Sequence, residues 1–181
     1  LNSILNKSTE LSCINNIKAN LTISEIFMEE GDNTIPPGAY IPNTYNPHPE
    51  NIRRFKNAKH WPGVFSSYYG SDYTKGLNTP FSPVPQPFFC PLDEIITLTG
   101  TKIINHISYG MNGGFGYKYA QDKELYYQNE IVSPSKFVVM ADSDRNENND
   151  YRITGTGSGH HWAYPGFIHE ARTITGYADL H

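Results

Sequence analysis

Side chains that could bind a metal are concentrated in the last quarter of this 181-residue sequence. They are aspartates and histidines: Asp142, Asp144, His160, His161, His169, Asp179 and His181. Mixed imidazole and carboxylate ligands suit a divalent transition metal such as zinc. Oxygen ligands alone, from the loop at 142–150, would suit calcium, although this loop lacks the glycine and the twelfth-position glutamate of an EF-hand. If a metal is bound, we expect its ligands to be Asp142, His169, Asp179 and His181.

The same side chains also allow a purely structural role, which the sequence favours over metal binding. His160 and His161 would then be exposed loop residues, and His169 would hydrogen-bond Asp179 to fasten the last strand. His169 and Asp179 could also act as a base and its orienting partner. No serine elbow or Cys–His pair accompanies them in the sequence, so we do not expect an enzyme.

The two cysteines, Cys13 and Cys90, leave two alternatives open. They are either two buried thiols or one disulfide, and two distant cysteines do not make a zinc site on their own. A bridge that encloses residues 14–89 would stabilise the fold by about 4 kcal/mol in the chain-entropy model. It would also indicate an extracytoplasmic compartment. We expect the bridge.

These side chains must be positioned by elements packed on the first thirty residues, whose apolar side chains recur at helical spacing. They are Ile4, Leu5, Leu11, Ile14, Ile17, Leu21, Phe27 and Met28. The pattern predicts a helix over residues 1–30, about 45 Å long, that ends at the 31–33 turn and the following prolines. Nothing nearby in sequence covers such a length. Residues 31–181 therefore form a cap on part of the helix, and the uncovered part needs a partner.

The remaining sequence predicts a few strands among long irregular loops. The clearest strand is 137–141, a continuous apolar run, with weaker strands at 103–109 and 173–178. A short basic helix over 51–59 would be stopped by Pro62 and Gly63. The order predicts one α+β domain over 1–181, with a small antiparallel sheet on one face of the long helix.

Composition argues against a nucleic-acid partner and against a membrane-spanning stretch within residues 1–181. The net charge is -4 and there is no basic run, so nucleic acid is not an expected partner. No stretch reaches the 18 or so apolar residues of a membrane span. An aromatic cluster leaves a carbohydrate-binding module as an alternative function, and its candidate residues are Trp61, Tyr68, Tyr69 and Tyr73.

Several short motifs, in order along the chain, resemble one bacterial family. They are Cys13-Ile14-Asn15-Asn16-Ile17-Lys18, Phe27, Gly31-Asp32-Asn33, Pro36-Pro37, Phe88-Phe89-Cys90-Pro91, residues 108–112 (Ser-Tyr-Gly-Met-Asn), Pro134-Ser135-Lys136, and His169 followed after nine residues by Asp179. Together they are similar to type IV pilin-like and type II secretion pseudopilin-like proteins with a C-terminal His-x9-Asp-Gly motif, the prepilin-type processing-associated domain. Leu180 stands where that motif has glycine.

This resemblance implies a pilin-like fold and a structural role. A leader and an apolar segment continuous with the first helix would precede Leu1, anchor the protein in the inner membrane and later pack in a filament core. The expected function is that of a filament subunit in a type II secretion or type IV pilus-like system, with self-assembly through the helix. The expected location is the bacterial cell envelope, with the cap in the periplasm or outside the cell. Similar secretion pseudopilins hold calcium in a C-terminal loop.

Overall fold

A single long helix dominates the architecture. The computed structural model describes residues 2–30, 33, 35–36, 61–70, 85–93, 95–96, 102–103, 107–112, 128–143, 152–153, 169 and 172–179. Helix α1 spans Asn2–Glu30 without interruption, as its periodicity predicts. Asn33 follows in the left-handed region, with φ of 63°, and its N–H donates to the Met28 carbonyl at 2.8 Å. Asn33 therefore satisfies an end carbonyl of α1. Gly31 and Asp32, the first residues of the predicted 31–33 turn, lie outside the described residues.

The covered face of α1 is only partly apolar. Cys13, Ile17, Leu21, Phe27 and Met28 are buried in the core. Polar side chains are buried beside them, and these are Asn16, Asn20 and Ser24. The helix therefore buries a row of amides along with its apolar row, and buried amides need hydrogen-bond partners.

A second helix, α2, spans Trp61–Tyr68. Pro62 lies in the first turn of α2, where its missing N–H has no helical partner to lose, so here it begins a helix that the sequence did not predict. α2 packs the Trp61 ring edge-on against Phe65 at 5.3 Å and against Phe88 at 5.1 Å between centroids. The predicted basic helix over 51–59 lies outside the described residues.

The strands among the described residues form two small sheets. The strands are β1 (Ile95–Ile96), β2 (Lys102–Ile103), β3 (Tyr109–Asn112), β4 (Val138–Asp142), β5 (Arg152–Ile153) and β6 (Thr175–Tyr177). β1 and β2 form an antiparallel pair, and the other four strands lie in the order β5-β3-β4-β6. β4 pairs antiparallel with both β3 and β6. β5 pairs parallel with β3, so the expectation of a purely antiparallel sheet is corrected to a mixed one within an α+β fold.

The larger sheet packs on α1 through β4 and β6. Gly176 of β6 lies so close to the helix that a Cβ atom there would be 2.6 Å from Leu21 Cδ1 and 2.9 Å from Ile17 Cγ2. The core between helix and sheet also includes Met140 and Val139. This close approach brings the ends of β4 and β6 next to α1.

Candidate functional site

A disulfide joins Cys13 of α1 to Cys90, which lies after a 3-10 turn at Gln86–Phe88. The Cα atoms of the two cysteines are 5.1 Å apart, and both residues are fully buried. Of the two alternatives that the sequence leaves open, the structure contains the bridge. It joins α1 to a segment 77 positions further along the chain.

The segment that carries Cys90 is held on α1 by the buried amides. Asn16 Nδ2 donates to the Phe89 carbonyl at 2.9 Å, and Asn20 Nδ2 donates to the Pro87 carbonyl at 2.7 Å. We call this pair of contacts the asparagine clasp. Proline has no backbone N–H, so a proline-rich segment cannot pair regularly with a neighbouring strand. Its carbonyls therefore need hydrogen-bond donors from elsewhere. The clasp supplies these donors and explains why a core-facing helix carries two asparagines.

A second contact holds the other side of the same segment. The Cys90 N–H donates to Ser108 Oγ at 2.7 Å, and the Ser108 N–H donates to the Phe88 carbonyl at 2.8 Å. Ser108 is buried and directly precedes β3. Cys90 is thereby fixed between α1 and the sheet.

A buried acid and a buried imidazole lie beside the disulfide. Asp142 is the last residue of β4, and its Oδ2 accepts the Ile174 N–H at 2.7 Å. His169 forms an isolated backbone bridge with Arg172. His169 Nε2 is 3.6 Å from Asp142 Oδ2 and 3.6 Å from Cys90 Sγ. We call Cys13, Cys90, Asp142 and His169 the disulfide cluster.

Burial shifts both ionisable groups of the disulfide cluster toward their neutral forms. It raises the pKa of Asp142 to about 7, against the lowering effect of the Ile174 N–H. Burial also lowers the pKa of His169. Asp142 Oδ1 and His169 Nδ1 have no hydrogen-bond partner in the part of the chain that the structure describes. Such unpaired atoms in a dry site are costly.

The disulfide cluster does not have the geometry of a catalytic triad. Cys90 is oxidised and buried, so it offers no thiolate for attack. Asp142 and Cys90 both approach the same ring nitrogen of His169, whereas an orienting acid must bind the nitrogen opposite the nucleophile. The oxidised cluster therefore lacks both the nucleophile and the nitrogen pairing of a catalytic triad.

The structure brings together two of the four predicted metal ligands, Asp142 and His169. Asp179 is exposed and belongs to no group of metal-ligating side chains among the described residues. The predicted hydrogen bond from His169 to Asp179 is also wrong, because the His169 ring lies against Cys90 and Asp142 instead. The other candidates lie outside the described residues, and these are Asp144, His160, His161 and His181.

The aromatic residues that suggested a sugar-binding surface mostly cover α1. Trp61 is fully buried. The Tyr69 hydroxyl donates to Asn20 Oδ1 at 3.0 Å, and the Tyr68 hydroxyl donates to Glu30 Oε2 at 2.8 Å. Burial raises the pKa of Tyr69 to about 12. Trp61 therefore presents no ring face to a ligand, and Tyr73 lies outside the described residues.

Sequence reasoning missed the contact of His169 with Cys90, which are 79 positions apart. No spacing signal marks such a distant pair.

No known protein family, curated protein or solved structure matches this chain.

Proposed function

We propose that this chain is a structural subunit of a pilin-like filament in the bacterial cell envelope, of the type II secretion or type IV pilus kind, and that it assembles through α1. The observation that carries the proposal is the helix itself. Its 29 residues correspond to about 43 Å of unbroken rod, whereas helices of globular domains average about a dozen residues. One side of the rod is covered by the cap. The other side remains available to neighbouring copies.

The exposed side of α1 limits the positions at which neighbouring copies could make contact. Its outward positions from Lys7 to Thr22 are polar, except for Leu11, which is 57% exposed. The apolar row from Cys13 to Met28 is covered by the chain's own cap. Contacts between copies would therefore centre on Leu11, and identical rods related by a screw operation extend into a filament.

A membrane anchor is part of the proposal, in the segment expected to precede Leu1. Within the described residues, no helix has the length and apolar character that crossing a bilayer requires. The coding sequence upstream of Leu1 tests the anchor directly. A short leader followed by about 20 apolar residues supports the filament subunit, and a cleaved secretory signal alone contradicts it.

The assembly contact is tested with two matched substitutions in cells that produce the complete gene product. Leu11→Glu puts a charge on the exposed side of α1. Val132→Glu changes a loop residue that is 96% exposed and serves as the control. We expect Leu11→Glu to reduce sheared filaments at least tenfold in electron micrographs. Val132→Glu should leave them unchanged.

Neither substitution should change folding, because exposed positions typically alter stability by less than about 0.5 kcal/mol. Equal filament numbers in Leu11→Glu cells and wild-type cells would overturn assembly through this face of α1. The alternative function, a surface-anchored carbohydrate-binding module, is less favoured because Trp61 is buried. Binding on a glycan array without any assembly would reverse that preference.

A further inference from the structure

The disulfide cluster contains the ligand types of a zinc site. Cys13, Cys90 and His169 each place a ligand atom within 4.8 Å of the others, and all three residues are buried. Asp142 Oδ2 lies 3.6 Å from His169 Nε2. Zinc, a borderline-soft ion, accepts two thiolate sulfurs, an imidazole nitrogen and a carboxylate oxygen, whereas calcium takes oxygen ligands.

The distances in the cluster are close to the edges of a zinc tetrahedron. Ordinary zinc bond lengths place a nitrogen and a sulfur ligand about 3.5 Å apart, a nitrogen and an oxygen about 3.3 Å apart, and two sulfurs about 3.8 Å apart. His169 Nε2 is 3.6 Å from Cys90 Sγ and 3.6 Å from Asp142 Oδ2. To complete the set, the bonded pair of sulfurs has to separate and the Asp142 carboxylate has to move closer to them, because it lies outside the group of ligand atoms within 4.8 Å of one another.

The environment of Asp142 and His169 provides an independent observation. Both side chains are at least 99% buried, yet Asp142 Oδ1 and His169 Nδ1 have no hydrogen-bond partner among the described residues. The 3.6 Å separation of Nε2 and Oδ2 is also too long for a good hydrogen bond. A cation bound by Nε2 and Oδ2 would compensate the burial of these two side chains, which the disulfide does not, and Oδ1 and Nδ1 would stay outside the ligand set.

We propose that the dithiol form of this chain binds one zinc ion through Cys13, Cys90, His169 Nε2 and Asp142 Oδ2, in place of the disulfide. The Ile174 N–H that donates to Asp142 Oδ2 would orient this carboxylate, as outer-shell donors do at metal sites. Zinc and the disulfide would be two alternative links between α1 and the segment at 85–93. This proposal does not depend on filament assembly.

An added small-molecule dithiol serves as the reductant of the Cys13–Cys90 disulfide. The dithiol transfers two electrons and two protons to the Cys13–Cys90 bond, which yields two protein thiols and the cyclic disulfide of the reductant. Zinc then replaces the two thiol protons, which pass to the buffer. Since both cysteines are buried, reduction is carried out in denaturant, followed by refolding with zinc.

The test compares reduced and oxidised protein, each refolded with a slight excess of zinc and freed of unbound metal by gel filtration. We expect about one zinc per reduced chain and none per oxidised chain. Replacement of zinc by cobalt should give thiolate-to-cobalt charge-transfer absorption in the reduced wild-type protein. This spectrum reports ligation without any substitution that could impair folding.

Substitutions then identify the ligands. Asp142→Asn and His169→Gln should each weaken zinc binding by at least about tenfold in competition with a chromophoric chelator, since even outer-shell changes cost 10–100-fold. Asp179→Asn, which changes the exposed candidate, is the control and should bind as wild type does. The proposal is overturned by reduced wild-type protein that binds no zinc, by binding that survives in a Cys13→Ser/Cys90→Ser variant, or by Asp179→Asn weakening binding as much as Asp142→Asn.

Discussion

At the scale of single residues, burial changes the acidity of Asp142. Its pKa in the folded state, about 7, is higher than its ordinary value of 3.8. The folded chain therefore holds a proton that the unfolded chain releases above pH 4. The stability contributed by this proton is complete below about pH 4 and is lost as the pH rises through 7.

This environment predicts a pH-dependent effect of Asp142→Asn in the oxidised protein. The loss in the wild type is about 4 kcal/mol between pH 4 and pH 8, at about 1.4 kcal/mol per pKa unit. Asparagine retains an acceptor for the Ile174 N–H but cannot ionise. The variant should therefore gain stability relative to wild type as the pH rises, which urea unfolding at pH 4.5, 6 and 8 will measure.

His169 makes the stability of the fold depend on pH in the opposite direction, on the acid side of neutrality. Burial lowers its pKa, so its contribution to stability is complete above its ordinary pKa of 6.5 and is lost as the pH falls below that value through the lowered pKa of the folded state. Asp142→Asn should leave that acid-side loss in place. A difference between variant and wild type that shrinks from pH 6 to pH 8 would contradict the raised pKa of Asp142.

The asparagine clasp gives a second prediction at this scale. Asn20→Leu leaves the Pro87 carbonyl and the Tyr69 hydroxyl without their partner, and each unpaired buried group costs about 1–3 kcal/mol. We expect a loss of about 2–4 kcal/mol in urea unfolding. Asn15→Leu, at an exposed position on the same helix, should change stability by less than about 0.5 kcal/mol. A loss of the same size at both positions would show that the clasp is not responsible, because leucine has a higher helix propensity than asparagine.

At the scale of elements, the contact between β6 and α1 depends on the absence of a side chain at position 176. Gly176→Ala should cost about 1–3 kcal/mol, because the added methyl overlaps with Leu21 and Ile17 and forces the strand away from the helix. The measurement is thermal and urea unfolding. In a Leu21→Val background, which shortens the nearer side chain, the cost of Gly176→Ala should be smaller.

Gly70 is the comparison, because its cost has a different cause. A Cβ there meets nothing within 4 Å, but its φ is +64°. Gly70→Ala should cost about 1–2 kcal/mol from backbone strain alone, and this cost should not change in the Leu21→Val background. Equal dependence of both glycines on position 21 would refute the steric explanation for Gly176.

At the scale of the whole molecule, the disulfide ties the N-terminal helix to the cap across 77 positions. A Cys13→Ala/Cys90→Ala variant should lose about 4 kcal/mol, mostly because its unfolded chain gains freedom. Urea unfolding of this variant and of the oxidised wild-type protein measures the loss. A loss below about 1 kcal/mol would show that the clasp and the core hold the cap on α1 unaided.

The sequence by itself determined the elements whose signals are local. The periodicity of the first thirty residues predicts α1, and the apolar run at 137–141 predicts β4, because both patterns reflect a repeat within one element. With two cysteines only one intramolecular pairing exists, so the partner of Cys13 was determined as well. Whether the bond forms was not, since this depends on where the fold places residue 90.

The tertiary structure decided everything that depends on distant neighbours. From sequence, His169 is assigned to Asp179 ten positions later, whereas the fold places it against Asp142 and Cys90. α2 was missed because Pro62 was interpreted as a terminator, and only packing on α1 and Phe88 makes it a first turn. Periodicity indicates which face of an element is buried, but it does not indicate which other element covers that face. That choice is made by packing between elements that lie far apart in the chain.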